Sequence, residues 1–391
     1  MNGWTPRPLK SLVNSSTKAK LPPEGIKIWN LNLDQIETHS GRVLEKVYAN
    51  ANELGTSTHL FEPRTVLYSK LRPYLNKVVV ADELGIATTE LVPLRCNTDE
   101  VLPEYLAYFL RSPDFLKFAT IVVAGAKMPR MVMTEFWDFK VPLPPLPEQR
   151  RIAAILDKAD ALRAKRREAL VQLDSLTQSI FIEMFGDPGT NPKRFPESQL
   201  GKIIIGKPNN GIFKKNHEYG EGVPIVWVEE LFRGNAIDLT QSRKLQPTQK
   251  EIQQYGLVHG DILFCRSSLK LAGIGYNNVY LGENNKALFE CHVIRISPDK
   301  SRVSPQFLNY LLRMPNQRQK LFKFAKTVTM STIDQDGLQQ ISLPLPPIDL
   351  QEIFREKLDA IDRIRTRHQI TVAELDTLFA SLQHRAFRGE L

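Results

Sequence analysis

Two stretches that repeat each other along the chain decide the fold. Residues 141–187 read VPLPPLPEQRRIAAILDKADALRAKRREALVQLDSLTQSIFIEMFGD. Residues 343–389 read LPLPPIDLQEIFREKLDAIDRIRTRHQITVAELDTLFASLQHRAFRG and align with them without a gap, at an offset of 202 residues (343 less 141). This repeat is far longer than the period of a solenoid. The chain therefore consists of two copies of one unit, each a globular part followed by a long helix.

The match includes polar as well as apolar positions. Asp160 and Arg163 recur as Asp362 and Arg365, and the pair at 173–174 recurs at 375–376. Upstream, residues 103–113 match 305–315 at the same offset, whereas 65–70 resemble 261–266 at an offset of 196 and 87–95 resemble 287–295 at an offset of 200. Insertions and deletions therefore fall in the globular parts and leave the helices unchanged in length.

Prolines set the start of each long helix, and Gly186 ends the first of them. Apolar residues then recur at alternating steps of three and four, which is typical of a coiled-coil seam. We expect four segments: a first globular domain (1–146), a spacer helix (147–187), a second globular domain (188–346) and a second spacer helix (347–391). The residues predicted to form the seam or to dock a partner subunit are Gln149, Ile152, Leu156, Leu162, Arg166, Leu173, Leu176, Gln351, Leu358, Ile364, His368, Leu375 and Leu378.

Two polar residues occupy equivalent seam positions near mid-helix, Arg166 and His368. If the helices pair antiparallel about a pseudo-twofold axis, their centres meet here, and we expect these two side chains to lie close together. Polar seam residues fix register at some cost in stability. The alternative is that both side chains turn outward to solvent.

The globular parts have mixed α/β patterns with many short strands. Strands are predicted over 64–70, 77–81, 223–228, 261–266, 278–281 and 292–296, and single helices over 103–118 and 305–324. The fold class that follows is α+β: two similar mixed α/β domains joined by two long antiparallel coiled-coil helices, with a pseudo-twofold internal repeat.

Composition bounds the function. The net charge is +9, and residues 188–346 carry 21 basic and 13 acidic residues, a surplus of 8. A basic domain attracts a phosphate backbone, although ordinary solubilising charge has the same pattern. Three scattered cysteines, no signal peptide and no apolar run of membrane-span length predict a cytoplasmic protein. No strong nucleotide, metal or catalytic motif is present, which leaves only an enzyme of novel geometry open.

The motif at 143–150, with Ile152 and the helix after it, resembles the specificity (S) subunit of type I restriction–modification systems. Its degenerate copy at 343–351 and the stretch Thr371–Leu375 strengthen the resemblance, which covers essentially the whole chain. The second copy departs from the pattern where Asp349-Leu-Gln351 replaces Pro-Glu-Gln.

The resemblance implies that each globular part is a target recognition domain that reads one half of a bipartite sequence in double-stranded DNA. The helices would set the spacer and dock two methyltransferase (M) subunits, and restriction (R) subunits would join that core. The resemblance also implies that S-adenosylmethionine, ATP and Mg²⁺ are bound by those partners and that this chain holds no cofactor, metal or catalytic residue.

Loops between the strands are the predicted DNA-contacting segments, because Lys and backbone amides contact phosphates while Asn, Arg and Ser match base edges. The candidates are Lys70, Arg72, Tyr74, Lys127, Arg130, Asn209, Asn210, Lys214, Lys215, Arg266, Lys270, Lys326 and Thr329. Two alternatives remain open: a specificity subunit whose partner is a fused methyltransferase–nuclease, and a coiled-coil scaffold that binds no DNA.

Overall fold

The structure is a computed structural model that describes residues 4–14, 23, 25–50, 58–327 and 330–391. It divides into two compact units. The first unit comprises Met1–Ala169 and His368–Leu391, and the second comprises Leu170–Arg367. Each unit therefore contains one globular part and portions of both long helices.

Among its described residues, the globular part of the first unit is built from short strands and three short α-helices. The strands are β1 (Arg7–Pro8), β2 (Val13–Asn14), β3 (Lys27–Leu31), β4 (Tyr48–Asn50), β5 (Thr58–Phe61), β6 (Val66–Ser69), β7 (Val78–Val80), β8 (Gly85–Thr88), β9 (Leu91–Cys96), β10 (Val123–Ala124), β11 (Arg130–Met131) and β12 (Lys140–Val141). The helices are α1 (Pro103–Leu110), α2 (Pro113–Ile121) and α3 (Met133–Asp138). The long helix α4 (Leu146–Phe185) follows.

The second unit has the same kind of composition. Its strands are β13 (Glu197–Gln199), β14 (Asn209–Asn210), β15 (Tyr219–Val226), β16 (Lys244–Leu245), β17 (Ile262–Cys265), β18 (Ser267–Ser268), β19 (Asn277–Val279), β20 (Leu288–Phe289), β21 (Val293–Ile296), β22 (Lys326–Thr327), β23 (Ser331–Thr332) and β24 (Ser342–Pro344). Its helices are α5 (Val228–Leu231), α6 (Gln249–Tyr255), α7 (Pro305–Arg313), α8 (Pro315–Phe322) and α9 (Gln335–Gln339), and the long helix α10 (Ile348–Ala386) follows.

The sheets of the two units correspond to each other. The first unit has an antiparallel sheet of order β2-β9-β6-β7, and the second has one of order β14-β21-β17-β19. Each unit also has a parallel strand pair, β3 with β8 and β15 with β20. A two-stranded ribbon precedes each long helix, β1 with β12 and β13 with β24. The predicted α+β class and internal repeat are confirmed.

The two helices predicted over 103–118 and 305–324 are each broken in two, so that prediction was wrong. The breaks fall at Pro113 and Pro315, each the first residue of the second helix in its pair. Proline has no N–H to donate and its ring clashes with the preceding turn, so it is tolerated only at a helix start. Ser112 caps α2 by accepting a hydrogen bond from the amide of Phe115.

Each unit buries the end of one long helix against its own short helix. In the first unit Phe387, just beyond α10, contacts Tyr105 and Phe109 of α1 with ring centroids 5.5 and 5.2 Å apart. In the second unit Phe185, the last residue of α4, contacts Phe307 of α7 at 4.9 Å. Phe185 and Phe387 are equivalent in the repeat, as are Tyr105 and Phe307. The two globular parts therefore use equivalent aromatic residues to bury the C-terminal end of a long helix. In each case this is the long helix that follows the other globular part in the sequence.

Aromatic and aliphatic side chains form one principal core in each unit. In the first unit the core lies between α1, α2 and the sheet, around Tyr105 and Phe115. In the second it includes Phe264, Phe307 and Phe354, all without exposed surface. In the described part of the chain, every helix is too short or too polar to cross a bilayer.

Candidate functional site

A buried glutamine is the central residue of each repeated proline motif. The Gln149 Oε1 accepts a hydrogen bond from the Leu102 amide at 2.9 Å. Its Nε2 donates to the carbonyl oxygens of Glu100 at 2.8 Å and of Pro144 at 2.9 Å. The side chain therefore joins the start of α1 to the proline turn before α4, and it satisfies three backbone groups at once.

The second copy makes the same three contacts although its sequence departs from the motif. Gln351 Oε1 accepts from the Ser304 amide at 2.9 Å, and its Nε2 donates to the carbonyls of Pro346 at 2.7 Å and Arg302 at 3.3 Å. Both glutamines have no exposed surface. The proposed docking role is therefore wrong for Gln149 and Gln351, because a residue without exposed surface cannot contact a partner chain. Their role is to hold each globular part to its helix.

The buried face of each long helix is formed by residues at equivalent positions of the repeat. On α4 the buried residues include Ile152, Leu156, Ala159, Arg163, Thr177 and Phe181. On α10 the equivalent positions are Phe354, Leu358, Ile361, Arg365, Phe379 and Gln383, of which all but Arg365 are buried and Arg365 keeps 15% of its side chain exposed. Leu173, Leu375 and His368 are half-buried.

The predicted seam is wrong at five positions, which lie in solvent. These are Leu162 (53% exposed), Leu176 (46%), Ile364 (48%), Leu378 (49%) and the exposed Arg166. The real seam runs one residue later and includes Arg163 and Thr177. A pattern based on hydrophobicity selects leucine over a neighbouring arginine or threonine. It cannot register that an arginine stem packs well beneath a paired head group.

Arg163 makes polar contacts between the two long helices in the first unit. Its Nε donates to Asp376 Oδ1 at 2.6 Å and its Nη1 to Asp160 Oδ1 at 2.7 Å. The guanidinium also lies 4.2 Å from the ring centroid of Phe379. Asp376 also accepts from Arg167 at 2.8 Å. Arg151, twelve residues before Arg163, donates to the carbonyl of Leu391, fifteen residues after Asp376, at 2.8 Å, so the chain directions of α4 and α10 are antiparallel in this unit.

The second unit has the equivalent contact with the helices exchanged. Arg365 of α10 donates to Asp174 of α4 at 2.5 Å and to Asp362 at 3.3 Å. Arg365 and Asp174 are the repeat equivalents of Arg163 and Asp376. The sequence already indicated these ion pairs, since the arginine and the aspartates that form them are identical in the two copies of the repeat. Identity at polar positions identified the contacting residues where the apolar pattern did not.

In the first unit the structure brings the predicted DNA-contacting segments together. The Met131 amide donates to the Lys70 carbonyl at 2.8 Å, and the Arg72 amide donates to the Pro129 carbonyl at 2.7 Å. Residues 70–74 and 127–130 therefore form one edge, on which Arg72, Tyr74, Lys127 and Arg130 are exposed and Lys70 is half-buried. Arg72 has a left-handed backbone with φ of 48°, a costly conformation for a residue with a side chain.

The second unit has an equivalent edge. The Ile333 amide donates to the Arg266 carbonyl at 2.9 Å, and three short strands lie in the order β18-β23-β22. Arg266 is half-buried, and Lys270 and Lys326 are exposed. Thr329 lies outside the described residues. Lys70 and Arg266 are equivalent in the repeat, and so are Met131 and Ile333.

The remaining candidates of the second unit lie on a neighbouring segment. Asn209 and Asn210 pair with β21, and Asn209 Oδ1 accepts from Arg295 Nε at 3.1 Å. Both asparagines are half-buried, and Lys215 is exposed. Lys214 lies between the two carboxylates of Glu218 at 3.2 Å and Glu251 at 2.9 Å.

Three of the candidate cations are held by carboxylates. Glu90 accepts a bidentate pair from Arg130, which lowers the pKa of the Glu90 carboxyl. The hydrogen bond from Lys326 likewise lowers the pKa of Asp334. For Lys214, the hydrogen bond to Glu251 raises the pKa of the ammonium. These cations are charged, but a phosphate would have to compete for them with a carboxylate in place.

The loop Glu290–His292, which the sequence did not single out, contacts both segments of the second unit that carry candidate DNA-contacting residues. Ile212 bridges to Glu290, and the Arg266 amide donates to the His292 carbonyl at 2.8 Å. The possible ligand atoms of Glu290, Cys291 and His292 lie within 4.8 Å of one another. Burial, with Glu290 beside it, raises the pKa of the Cys291 thiol and so disfavours the thiolate that a metal needs. We assign this cluster as a hydrogen-bonded network that orders the loop beside Arg266.

Comparison with known proteins agrees with the duplicated organisation of the chain. Residues 1–172 and 193–374 match the model of the type I restriction modification DNA specificity domain. The chain belongs to this family. Both copies of the repeat are matched, so the two globular parts are two specificity domains.

The similar curated proteins are specificity subunits. The StySPI specificity subunit of Salmonella potsdam is 27% identical over 312 residues, which cover 74% of this chain and 66% of that protein. The EcoKI specificity subunit of Escherichia coli K12 is 26% identical over 304 residues, which cover 73% of this chain and 65% of that protein. This chain thus spans about two thirds of the length of these relatives.

Solved structures show the same fold. The type I restriction–modification S subunit from M. genitalium covers 99% of this chain and 97% of its own, with a TM-score of 0.57 and 15% identity. A chain from a study of type I restriction–modification complex assembly and conformational transition covers 100% of this chain and 99% of its own, with a TM-score of 0.57 and 20% identity.

Proposed function

We propose that this chain is the non-catalytic DNA-recognition subunit of a type I restriction–modification complex. Each specificity domain would read one half of a bipartite target in double-stranded DNA. The observation that carries the proposal is that both units build the same edge from equivalent segments, anchored by the Lys70–Met131 and Arg266–Ile333 hydrogen bonds. A duplicated binding edge suits a target with two half-sites.

The candidate cations on these edges and on the neighbouring segment 209–215 differ in whether a carboxylate already pairs with them, and this difference predicts a graded result. Arg72, Lys127, Lys215 and Lys270 are exposed, whereas Arg130, Lys214 and Lys326 have carboxylate partners. Alanine at the first group removes a charge that is accessible to phosphate, so we expect weaker binding and a shallower salt dependence by about one unit per contact. Alanine at the second group also uncovers a carboxylate, so it should weaken binding further wherever that carboxylate faces DNA.

The measurement is salt-dependent DNA binding by the complex of this chain with its methyltransferase. Lys140→Ala and Lys244→Ala, at exposed lysines outside both edges, are the matched controls. If alanine at Arg72, Lys127, Lys215 and Lys270 together leaves affinity and salt slope at the control values, these edges do not contact DNA.

The exposed apolar positions on the helices support a docking role for methyltransferase subunits. Leu162 and Leu176 of α4 are the repeat equivalents of Ile364 and Leu378 of α10, and all four are about half exposed. Two equivalent apolar stripes on otherwise polar helices suit two copies of one partner. S-adenosylmethionine would then belong to those subunits, and ATP and Mg²⁺ to restriction subunits bound to the same core.

Substitution tests this docking surface directly. We expect Leu162→Glu to abolish co-purification with the methyltransferase subunit at one stripe and Ile364→Glu at the other, so that the double variant binds none. Lys165→Glu, at an exposed polar position on the same helix, is the control. Retention of both subunits by the double variant would place the docking surface elsewhere.

The function as a whole is tested by mapping methylated adenines across the host genome with and without this gene. Loss of one split motif on deletion is the expected result. Unchanged methylation, together with no methyltransferase in the purified complex, would favour the scaffold alternative. If a methyltransferase–nuclease fusion co-purifies instead, the related fused system is the correct assignment.

A further inference from the structure

Each unit presents an exposed methionine shortly before the second strand of an equivalent antiparallel strand pair. In the first unit β10 pairs with β11, and Met128 in the loop between them is 46% exposed. In the second unit β22 pairs with β23, and Met330, which directly precedes β23, is 41% exposed. The two residues are 202 positions apart, which is the offset of the repeat (330 less 128).

The sequences of the two strand pairs have otherwise diverged. Residues 123–131 read VAGAKMPRM and residues 325–333 read AKTVTMSTI, so the methionine is the one identity in nine aligned positions. Packing does not explain this identity, because the apolar residue that does pack, Met131 or Ile333, is buried and differs between the copies. The retained methionine is exposed in both copies, so its side chain is available to contact a molecule outside its own unit.

Both strand pairs belong to the edge assigned above to DNA. The Met128 loop is joined to the other edge segment by the Arg72–Pro129 hydrogen bond of 2.7 Å. In the second unit β23, next to Met330, pairs with β18. A second exposed apolar side chain follows on the neighbouring segment in each unit, Tyr74 at 42% and Leu269 at 86% exposure.

We propose that Met128 and Met330 enter the DNA as apolar wedges, one in each half-site, and unstack a base step there. This inference rests on the proposed function and adds to it a sequence-independent contact. Residues that read bases must differ between the domains when the two half-sites differ. A wedge reads no hydrogen-bond code, so one residue type serves both, and methionine is among the side chains that proteins insert between base steps. Its flexible thioether adapts to any step.

The test uses the complex with the methyltransferase and a duplex carrying the split motif found by methylation mapping. 2-Aminopurine, which pairs with thymine as adenine does, replaces in turn each adenine in and beside a half-site except the adenine that is methylated, since that base leaves the stack for chemistry in any case. The wild-type complex should raise the fluorescence at one step in each half-site. Met128→Ala should remove the rise in one half-site and leave the other, and Met330→Ala should do the reverse.

Each alanine variant should also bind roughly tenfold more weakly, because burial of a methionine side chain is worth at least about one factor of ten. The methylated motif should stay the same in each variant. Met128→Leu should restore most of the affinity, since it keeps the apolar volume. Leu44→Ala and Val258→Ala, at exposed apolar residues away from these strand pairs, are controls for a general loss of surface apolarity.

The outcomes separate this inference from the function it depends on. If the wild-type complex binds the motif but the methionine variants match it in fluorescence and affinity, the wedge is refuted and the recognition role stands. Loss of the methyltransferase subunit from the variants would show that the methionines contact protein, which also refutes the wedge. If the wild-type complex does not prefer the motif at all, the proposed function itself fails.

Discussion

Replacing Gln149 tests the structural reason for the repeated motif. Gln149→Leu removes one acceptor and two donors, so it orphans the Leu102 amide and the carbonyls of Glu100 and Pro144. An unsatisfied buried group costs roughly 1–3 kcal/mol, so three of them cost about 3–9 kcal/mol if little water enters. For a unit of this size each kcal/mol lowers Tm by roughly 2–4 °C, so we expect a fall of about 6 °C or more.

The variant Gln149→Glu separates hydrogen bonding from shape. The introduced carboxyl has the same outline and can still accept from the Leu102 amide, but an ionised carboxylate donates to neither carbonyl. Burial raises the pKa of that carboxyl in the folded state above its unfolded value of about 4.3. Stability lost at neutral pH should therefore return as pH falls through the raised folded pKa, which Gln149→Leu cannot show.

The assay is thermal unfolding together with hydrogen exchange of the Leu102 amide, across pH, in the full chain. Gln178→Leu, at an exposed position of the same helix, is the control and should leave both unchanged. Gln351→Leu should reproduce the effect at the Ser304 amide of the second unit. If Gln149→Leu unfolds at the wild-type temperature and Leu102 exchanges no faster, the glutamine does not hold the domain to its helix.

Two further predictions concern buried polar groups. Arg163→Lys keeps the charge but loses the guanidinium group that binds Asp160 and Asp376 at the same time, so we expect the free energy of unfolding to fall by roughly 1–3 kcal/mol. The measurements are thermal unfolding, which should occur at a lower temperature, and amide hydrogen exchange in α4 around residue 163, which should become faster. Unchanged exchange there would contradict this prediction. Burial raises the pKa of the Cys265 thiol to about 11 and that of the Cys96 thiol to about 12. At pH 8 iodoacetamide should therefore alkylate the partly exposed Cys291 first, and the rate of alkylation should rise with pH. Labelling of Cys265 before Cys291 in the native protein would refute this order.

The sequence by itself determined the architecture of this protein. Two gapless copies of a proline motif followed by a helix establish a duplicated unit, because a repeat of that length needs a repeated structure to bury it. The start of α4 near Pro147 and its end at Phe185 follow from local chemistry, because proline is favoured at a helix start and glycine directly after a helix end. The strands near 66–69 and 262–265 were likewise predictable from β-branched and aromatic runs.

Only the tertiary structure decided which side chains do what. Hydrophobicity placed Leu162 and Leu176 in the seam, but the fold puts Arg163 and Thr177 there, since an arginine with two carboxylate partners can be buried and a leucine beside it can face solvent. Gln149 was predicted to dock a partner and instead satisfies three backbone groups that no local pattern brings together.

The same holds for the candidate DNA edges. Spacing predicted basic loops, but it could not show that Arg130 is held by Glu90, a residue 40 positions away in sequence. Nor could it show that Met128 and Met330 are exposed while Met131 and Ile333 are buried. Exposure and pairing depend on contacts between segments remote in sequence, and those contacts exist only once the chain has folded.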